Sequence, residues 1–543
     1  MNIPLVDYFY RSKRNRLRQM MRGYHNLKSI GHIGSINSLK QELTKSKLNL
    51  RERDFSKNIL GAGLPYAELV VRQYLLVHIG GINLNKALLL SAGKPQAKVV
   101  YAMPSEWYDI VEKHGFKVDR FRSSIIWNSY VLIFFFYGLI KILKIAFNFF
   151  KKENLRKDLK NYAYFFDLVH DNLPSSNENN IQKNIINWYK KWEGKSPEIA
   201  TIHHSVKKTN IKRIGKYQLI YQSSFLPDLI GILEFTYFMI WAAFALLTSI
   251  FDFLRGKWWH AILLNQAVLS AQLRIIPSKF LAKEYLFHNS NWIYRPLWTY
   301  DAEKSGATIS FYFYSTNNES FKRKSGYPEI PYGWKAITWS RFLVWNEHQA
   351  NFVRRCVDDG EFKINIVGPI WFSSKLAYLN NIPSKTVAVF DVQPLRSSFY
   401  SLLAQDFDYY TPQVVIQFLV DIQDVLSECS YTMALKRKRD VGRLIHPKYL
   451  SCVKALDKTE NFINIDSGLD AMSLIKNCDF VISIPFTSTA LLGFYAGKPS
   501  IYYDPFSLLQ SDDRAAHGIP IVQGKEMLRA WFLRALEKNF VGH

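Results

Sequence analysis

With only four cysteines in 543 residues, Cys356, Cys429, Cys452 and Cys478, the chain has no disulfide framework and no thiol spacing that fits a common metal site. Reduced thiols in a cytoplasmic protein are therefore expected. Zinc-finger spacing, an RNA-binding sheet motif and a basic helix leading into heptads are all missing, which argues against nucleic acid as a partner. The residues Met1 to Tyr10 hold no apolar run after a basic start, so no secretory leader is expected. Short-period internal repeats are also missing. Acidic residues are few beside 70 lysines and arginines, and the net charge is +25. Such a field attracts nucleic acid, anionic lipid and anionic substrates alike, so charge alone does not choose among them.

Against these absences stand two long apolar stretches, Tyr130 to Phe150 and Leu229 to Leu254. In the first, Tyr137, Lys141, Lys144 and Asn148 recur at helical spacing on one face. In the second, Glu234, Trp241, Ala245, Thr248 and Asp252 form a weaker stripe. Uncharged sequence runs only from Phe235 to Phe251, roughly 25 Å of helix against a hydrocarbon core of about 30 Å. Lys151, Lys152, Arg156 and Lys157 follow the first stretch, and Arg255 and Lys257 the second, as anionic headgroups favour. Two in-plane amphipathic helices on an anionic membrane surface are expected, with a buried helix pair and a two-span hairpin as alternatives. Strand-like runs at Tyr162 to Val169, Ile199 to His203 and Tyr217 to Tyr221 lie between the stretches. Two full spans would separate these strands from the rest of any shared sheet.

The remainder reads as α/β, two Rossmann-like domains whose strands and helices alternate. Residues 1–54 are expected as a basic arm, with Arg11, Lys13, Arg14, Arg16 and Arg18 lipid-facing or solvated. Residues 55–370 are expected as the first domain, carrying the apolar helices. It opens with Asn58 to Leu60, the turn Gly61-Ala62-Gly63 and a helix from Pro65. Residues 384–510 form the expected second domain, and 511–543 a helical tail.

Ligands of open α/β sheets bind beyond the carboxyl ends of strands, where the second domain places its polar loops. Asp391 to Ser398, including Arg396, Ser397 and Ser398, follow the strand Thr386 to Phe390. Lys436 and Lys438 end the strand Tyr431 to Leu435, and Thr487, Ser488 and Thr489 follow Asp479 to Ile484. Hydroxyls at a helix start, backbone N–H groups and lysines together fit a phosphate-bearing ligand, although such residues also serve as ordinary caps and solvated turns.

The stretch Cys478 to Pro505, CDFVISIPFTSTALLGFYAGKPSIYYDP, resembles the nucleotide-sugar half of a GT-B glycosyltransferase. It is similar to bacterial surface-polysaccharide transferases, including those using CMP-activated keto sugars of the sialic acid or Kdo type. His446-Pro447 resembles the His-Pro pair that contacts the nucleotide in sialyltransferase-like members. The resemblance covers roughly residues 385–510. It implies a nucleotide-sugar donor, a lipid-linked or glycan acceptor, lipopolysaccharide or other polysaccharide synthesis, and a place on the cytoplasmic face of the inner membrane.

Those families carry an acidic pair before glycine as catalytic base. Asp358-Asp359-Gly360 has the letters, but its place between a helix and a strand reads as a surface turn. Glu68 is the preferred base because it follows the Gly61–Gly63 loop, near an inferred strand end; Asp301, Glu303 and Asp171 are the other candidates. No cofactor and no obligatory divalent ion are expected, since no Asp-x-Asp pair of the metal-dependent transferases stands out. Alternatives are a GT-B-like sugar-nucleotide epimerase and a noncatalytic membrane scaffold.

Overall fold

The computed structural model describes residues 4–46, 50–62, 66, 69–75, 82–151, 162–168, 185, 188–189, 192, 202–205, 213–214, 217–221, 225–289, 294–357, 361–370, 382–396, 409–437 and 442–541. The first unit is built on eight strands: β1 (Ala163–Leu168), β2 (Ile202–Ser205), β3 (Arg213–Ile214), β4 (Tyr217–Tyr221), β5 (Glu284–His288), β6 (Thr308–Tyr312), β7 (Arg341–Val344) and β8 (Lys363–Ile366). Their order is β3-β4-β2-β1-β5-β6-β7-β8, parallel except for β3 against β4. Strand β1 lies between β2 and β5, with Tyr164 paired to Ile202 on one side and Tyr285 on the other. The segments flanking the second apolar helix therefore share one sheet.

Three helices form a layer beside this sheet. Trp259–Ile275 is mostly buried, with apolar side chains on every side of it and polar ones among them. Arg120–Lys151 and Ile232–Leu254 lie against it. The first presents Trp127, Val131, Gly138, Ile142 and Ile145 inward, and the second Phe238, Ala242, Ala245 and Ser249. Gly138 permits the close approach: a Cβ there would stand 2.6 Å from Leu264 Cγ. Lys141 Nζ donates to the Asn265 carbonyl at 3.3 Å, and Asn148 to Asp228 at 2.9 Å. Asp252 meets buried His260 at 2.7 Å. Part of each polar stripe thus turns toward the protein, and large apolar side chains such as Phe136, Ile140, Tyr237 and Leu247 face outward together with Lys144.

The expected basic arm is more than an arm. Residues Pro4–Ser29 and Ser35–Lys45 are helices, and Met20, Leu27, Ile36, Leu39 and Leu43 are buried in the helical core. Lys13, Arg14, Arg16 and Arg18 remain exposed. Two further expectations change. Lys57–Leu60 is a helical turn, closed by Gly61 at φ +83°, because buried Ile59 and Leu60 face the helices rather than a sheet. Lys98 to Met103, whose apolar run predicts a strand, supplies only an isolated bridge, Val99 with Val118.

The second unit carries β9 (Thr386–Phe390), β10 (Thr432–Lys436), β11 (Phe462–Ile465), β12 (Phe480–Ser483), β13 (Ser500–Asp504) and β14 (Ile521–Gln523). All pair in parallel in the order β11-β10-β9-β12-β13-β14. Numbered within the unit this is 3-2-1-4-5-6, the Rossmann order, in which the chain reverses direction between β9 and β12. The unit extends past residue 510, since β14 completes its sheet. The final helix, Lys525–Val541, packs on this unit. Phe532 is buried against Tyr431 and Phe480, and Arg529 pairs with Glu428 at 2.8 Å.

Candidate active site

Three segments meet at the carboxyl edge of the second sheet. Asp391 to Arg396 continue β9, Arg437 follows β10, and Ile484 to Thr489 follow β12. The backbone ties two of them together: Arg396 N–H donates to the Leu444 carbonyl at 3.0 Å and His446 N–H to the Pro394 carbonyl at 2.9 Å. His446-Pro447, which starts the helix Pro447–Leu456 with proline at its first position, is thereby held over the Asp391 loop. From that helix Tyr449 donates to Asp391. Asp391 is fully enclosed, and burial pushes its carboxyl up to about 6 against the opposing pull of Tyr449 and Arg437.

Four buried polar atoms on these segments have no hydrogen-bond partner: Asp391 Oδ1, Gln393 Nε2, Arg437 Nε and His446 Nδ1. A buried orphan costs on the order of 1–3 kcal/mol. Clustered orphans at a strand-order reversal are what a polar ligand satisfies.

The hydroxyl loop has its own order. Ser483, Thr489 and Thr487 are linked at 2.8 and 3.0 Å, and Thr487 donates to the Ile484 carbonyl at 3.0 Å. That acceptor fixes the direction of the relay, so Thr487 and Thr489 shape the loop rather than stand open. Tyr410 and Tyr502 hydroxyls donate to the Pro485 and Thr487 carbonyls. Phe486 sits at φ +64°, a strained conformation for a bulky residue, and packs edge-on against Phe321 of the first unit at 4.8 Å. Ser488 begins the helix Ser488–Tyr495. Its hydroxyl accepts from Thr316 N–H at 2.9 Å and meets the Thr316 hydroxyl at 3.1 Å.

Thr316 belongs to a loop after β6 that straps the second unit. Lys322 N–H and the Tyr327 hydroxyl donate to Asp513 at 2.7 and 3.4 Å. Arg514 N–H donates to the Tyr327 hydroxyl at 2.7 Å, and its guanidinium lies 3.5 Å from that ring centre. His517 meets Asn346 at 3.1 Å.

A model of the polysaccharide biosynthesis PFTS motif proteins matches residues 239–532, more than half of the chain. The chain belongs to that family. Pro485-Phe486-Thr487-Ser488 spell the four letters of the motif. No curated protein matches the sequence. Among solved structures, the wall teichoic acid polymerase TagF is similar at 13% identity and TM-score 0.34, over 68% of this chain and 78% of that one. The UDP-GlcNAc 2-epimerase from Methanocaldococcus jannaschii gives 9% and 0.36 over 69% and 91%. The glycosyltransferase SnogD from Streptomyces nogalater gives 11% and 0.31 over 70% and 94%. These likenesses are too low to bear on function.

Around the PFTS loop, the structure brings together Asp391, Arg396, His446 and Pro447. Lys436 is turned aside: its Nζ donates to the Ser467 carbonyl at 3.2 Å, beside Asp470 and Asp466 as well as Asp391. Arg437, the next residue of the same basic run, carries the unpaired nitrogen. Glu68, Asp171, Asp358 to Gly360, Ser397, Ser398 and Lys438 lie outside the described residues. Asp301 accepts from Ala62 N–H at 3.1 Å and lies 3.6 Å from Arg274, which ties the Gly61 turn to the buried helix. Burial raises its carboxyl and Arg274 opposes the shift. Glu303 is paired with buried Arg295 at 2.6 Å. At the first sheet's own reversal, between β1 and β5, stands His288, which burial lowers to about 4. It is thus neutral near pH 7 and a weak base.

Among the described residues no cluster of histidines, cysteines and carboxylates could hold a metal. Asp406-Phe407-Asp408 does have the Asp-x-Asp spacing that the sequence reading treated as absent, and it lies outside the described residues. Sequence reasoning also missed Arg437 and Tyr449 as site residues and Thr316 as their neighbour from the first unit. Gln393 lay within the Asp391–Ser398 loop, and Arg437 between Lys436 and Lys438. Tyr449, two residues past Pro447, and Thr316 carried no signal.

Proposed function

We propose that this PFTS motif protein is a glycosyltransferase that moves a sugar from a nucleotide-activated donor to a lipid-linked or surface glycan at a membrane, in polysaccharide or lipopolysaccharide synthesis. The observation that carries the reading is the set of unpaired buried atoms of Asp391, Gln393, Arg437 and His446 at the β9–β12 reversal, next to the PFTS loop. Arg437 and the N–H groups opening Ser488–Tyr495 would stabilise the departing phosphate. A CMP-activated keto sugar is the donor the His446-Pro447 resemblance favours. The outward apolar face of the two long helices supports an acceptor presented by lipid, at the cytoplasmic face of the inner membrane. Four free cysteines fit a reducing compartment. Glu68 is the proposed base.

Thermal-shift measurements and calorimetry with CMP, UDP, GDP and ADP test the donor site. At least one should raise the melting temperature at saturating concentration. Stabilisation by none would leave the scaffold reading in its place. Once a donor is known, Glu68→Gln should abolish transfer while leaving nucleotide binding intact, and retained turnover would remove Glu68 from this role.

A further inference from the structure

We infer that Arg120–Lys151 and Ile232–Leu254 both enter a single anionic leaflet and that neither crosses the bilayer. The inference deepens the membrane-surface part of the proposed function and does not depend on the donor chemistry. By length and composition alone, each helix could span a membrane. The sheet forbids it. If both crossed, or only the second, β1 and β5 would lie on opposite sides, yet they are paired through Ala163, Tyr164 and Phe165 with Glu284, Tyr285 and Leu286. If only the first crossed, residues before it would be cut off from those after it. Ser56 N–H donates to His260 at 3.0 Å and Trp259 Nε1–H to the Asp54 carbonyl at 2.9 Å, so they are on the same side.

The exposed face nonetheless requires a cover. Twenty-one large apolar side chains on these two helices are exposed, far beyond the few hundred Å² of contiguous apolar surface, about 300–600 Å², usual on a soluble monomer. Lipid is the occupant that fits the cations around the face. Lys151 and Arg255 end the two helices over the rings of Phe147 and Phe251, and Arg122 is exposed near the other end of the first. Lys144 lies among Ile140, Leu143 and Phe147 on the outer face. A lysine there is costly in mid-bilayer but reaches headgroups easily from an in-plane helix.

The test uses the full chain in inner-membrane vesicles of both orientations. Single cysteines are introduced before, between and after the helices as Lys13→Cys, Asn177→Cys and Ser325→Cys, and labelled with an impermeant maleimide, with the parent protein's labelling subtracted. All three should label in the same orientation and none in the other. Opposite accessibility of Asn177→Cys and Ser325→Cys would overturn single-leaflet seating while leaving membrane association intact. In flotation with phosphatidylglycerol vesicles, Ile140→Asp and Leu247→Asp should each weaken partitioning at least tenfold, with unchanged far-UV circular dichroism. Failure of the parent protein to float, or its recovery as a soluble dimer, would overturn the inference together with the membrane-surface reading. Flotation unaffected by either substitution would overturn the assignment of this face.

Discussion

Asp391 ties stability to pH through one buried carboxyl. Its folded value, about 6, stands above the unfolded value near 4, so the folded chain binds the proton more tightly. The stabilisation is complete below about pH 4 and is lost as pH rises through 6, worth at most about 3 kcal/mol. Asp391→Asn keeps an acceptor for Tyr449 and removes the titration. Urea unfolding between pH 4 and 7 should show wild type losing this increment relative to the variant, and parallel profiles would contradict the assignment. Ser488 offers a second residue-scale test. Because Thr316 supplies two hydrogens to its oxygen, the Ser488 proton is left to donate to an anion. Thr316→Val and Ser488→Ala should each weaken binding of whichever nucleotide stabilises the protein by about fivefold, the double variant no more than Ser488→Ala, and Thr316→Ser should restore it. Additive losses would show that the two act separately. At this scale the hydroxyl letters and the Asp391 loop were legible, since strand ends can be read from alternation. The pairing of Thr316 with Ser488 was not, because 172 positions separate them and no local pattern encodes their contact.

The elements of the second unit were readable nearly end to end. Pro412–Glu428 announces itself by Thr411, whose side chain accepts from Val414 N–H, and by proline at its first position. Helix Trp259–Ile275 was missed because its six polar residues, from His260 to Arg274, are spread around it and leave no single apolar face for periodicity to reveal. Strand β7, four residues long, is too short to show a period, and Lys57–Leu60 reads equally well as strand or helix. The helix after the PFTS motif depends on Gly493, where a Cβ would stand 2.4 Å from Ser500 Oγ and 2.7 Å from Val481 Cγ2. Gly493→Ala should lower stability by about 1–3 kcal/mol in denaturant titration and weaken nucleotide binding by moving the helix start. Unchanged stability would mean that the helix can shift freely over β12 and β13.

For the whole molecule, two mainly parallel sheets follow from the alternation of strands and helices, and sequence alone reached that far. Where the last helix docks did not follow, because Leu528 and Phe532 fit an apolar surface on either unit by composition, and only the Tyr431 and Phe480 contacts decide. The place of β1 between β2 and β5 has a temporal consequence. At about 5–20 residues per second of synthesis, Arg120–Lys151 emerges seconds before Trp259–Ile275, the helix that later sheathes its inner side. Through that interval Trp127, Val131, Ile142 and Ile145 lack the partner that covers them in the folded protein. Strand β1 can take its place beside β5 only once residues 284–288 have been made.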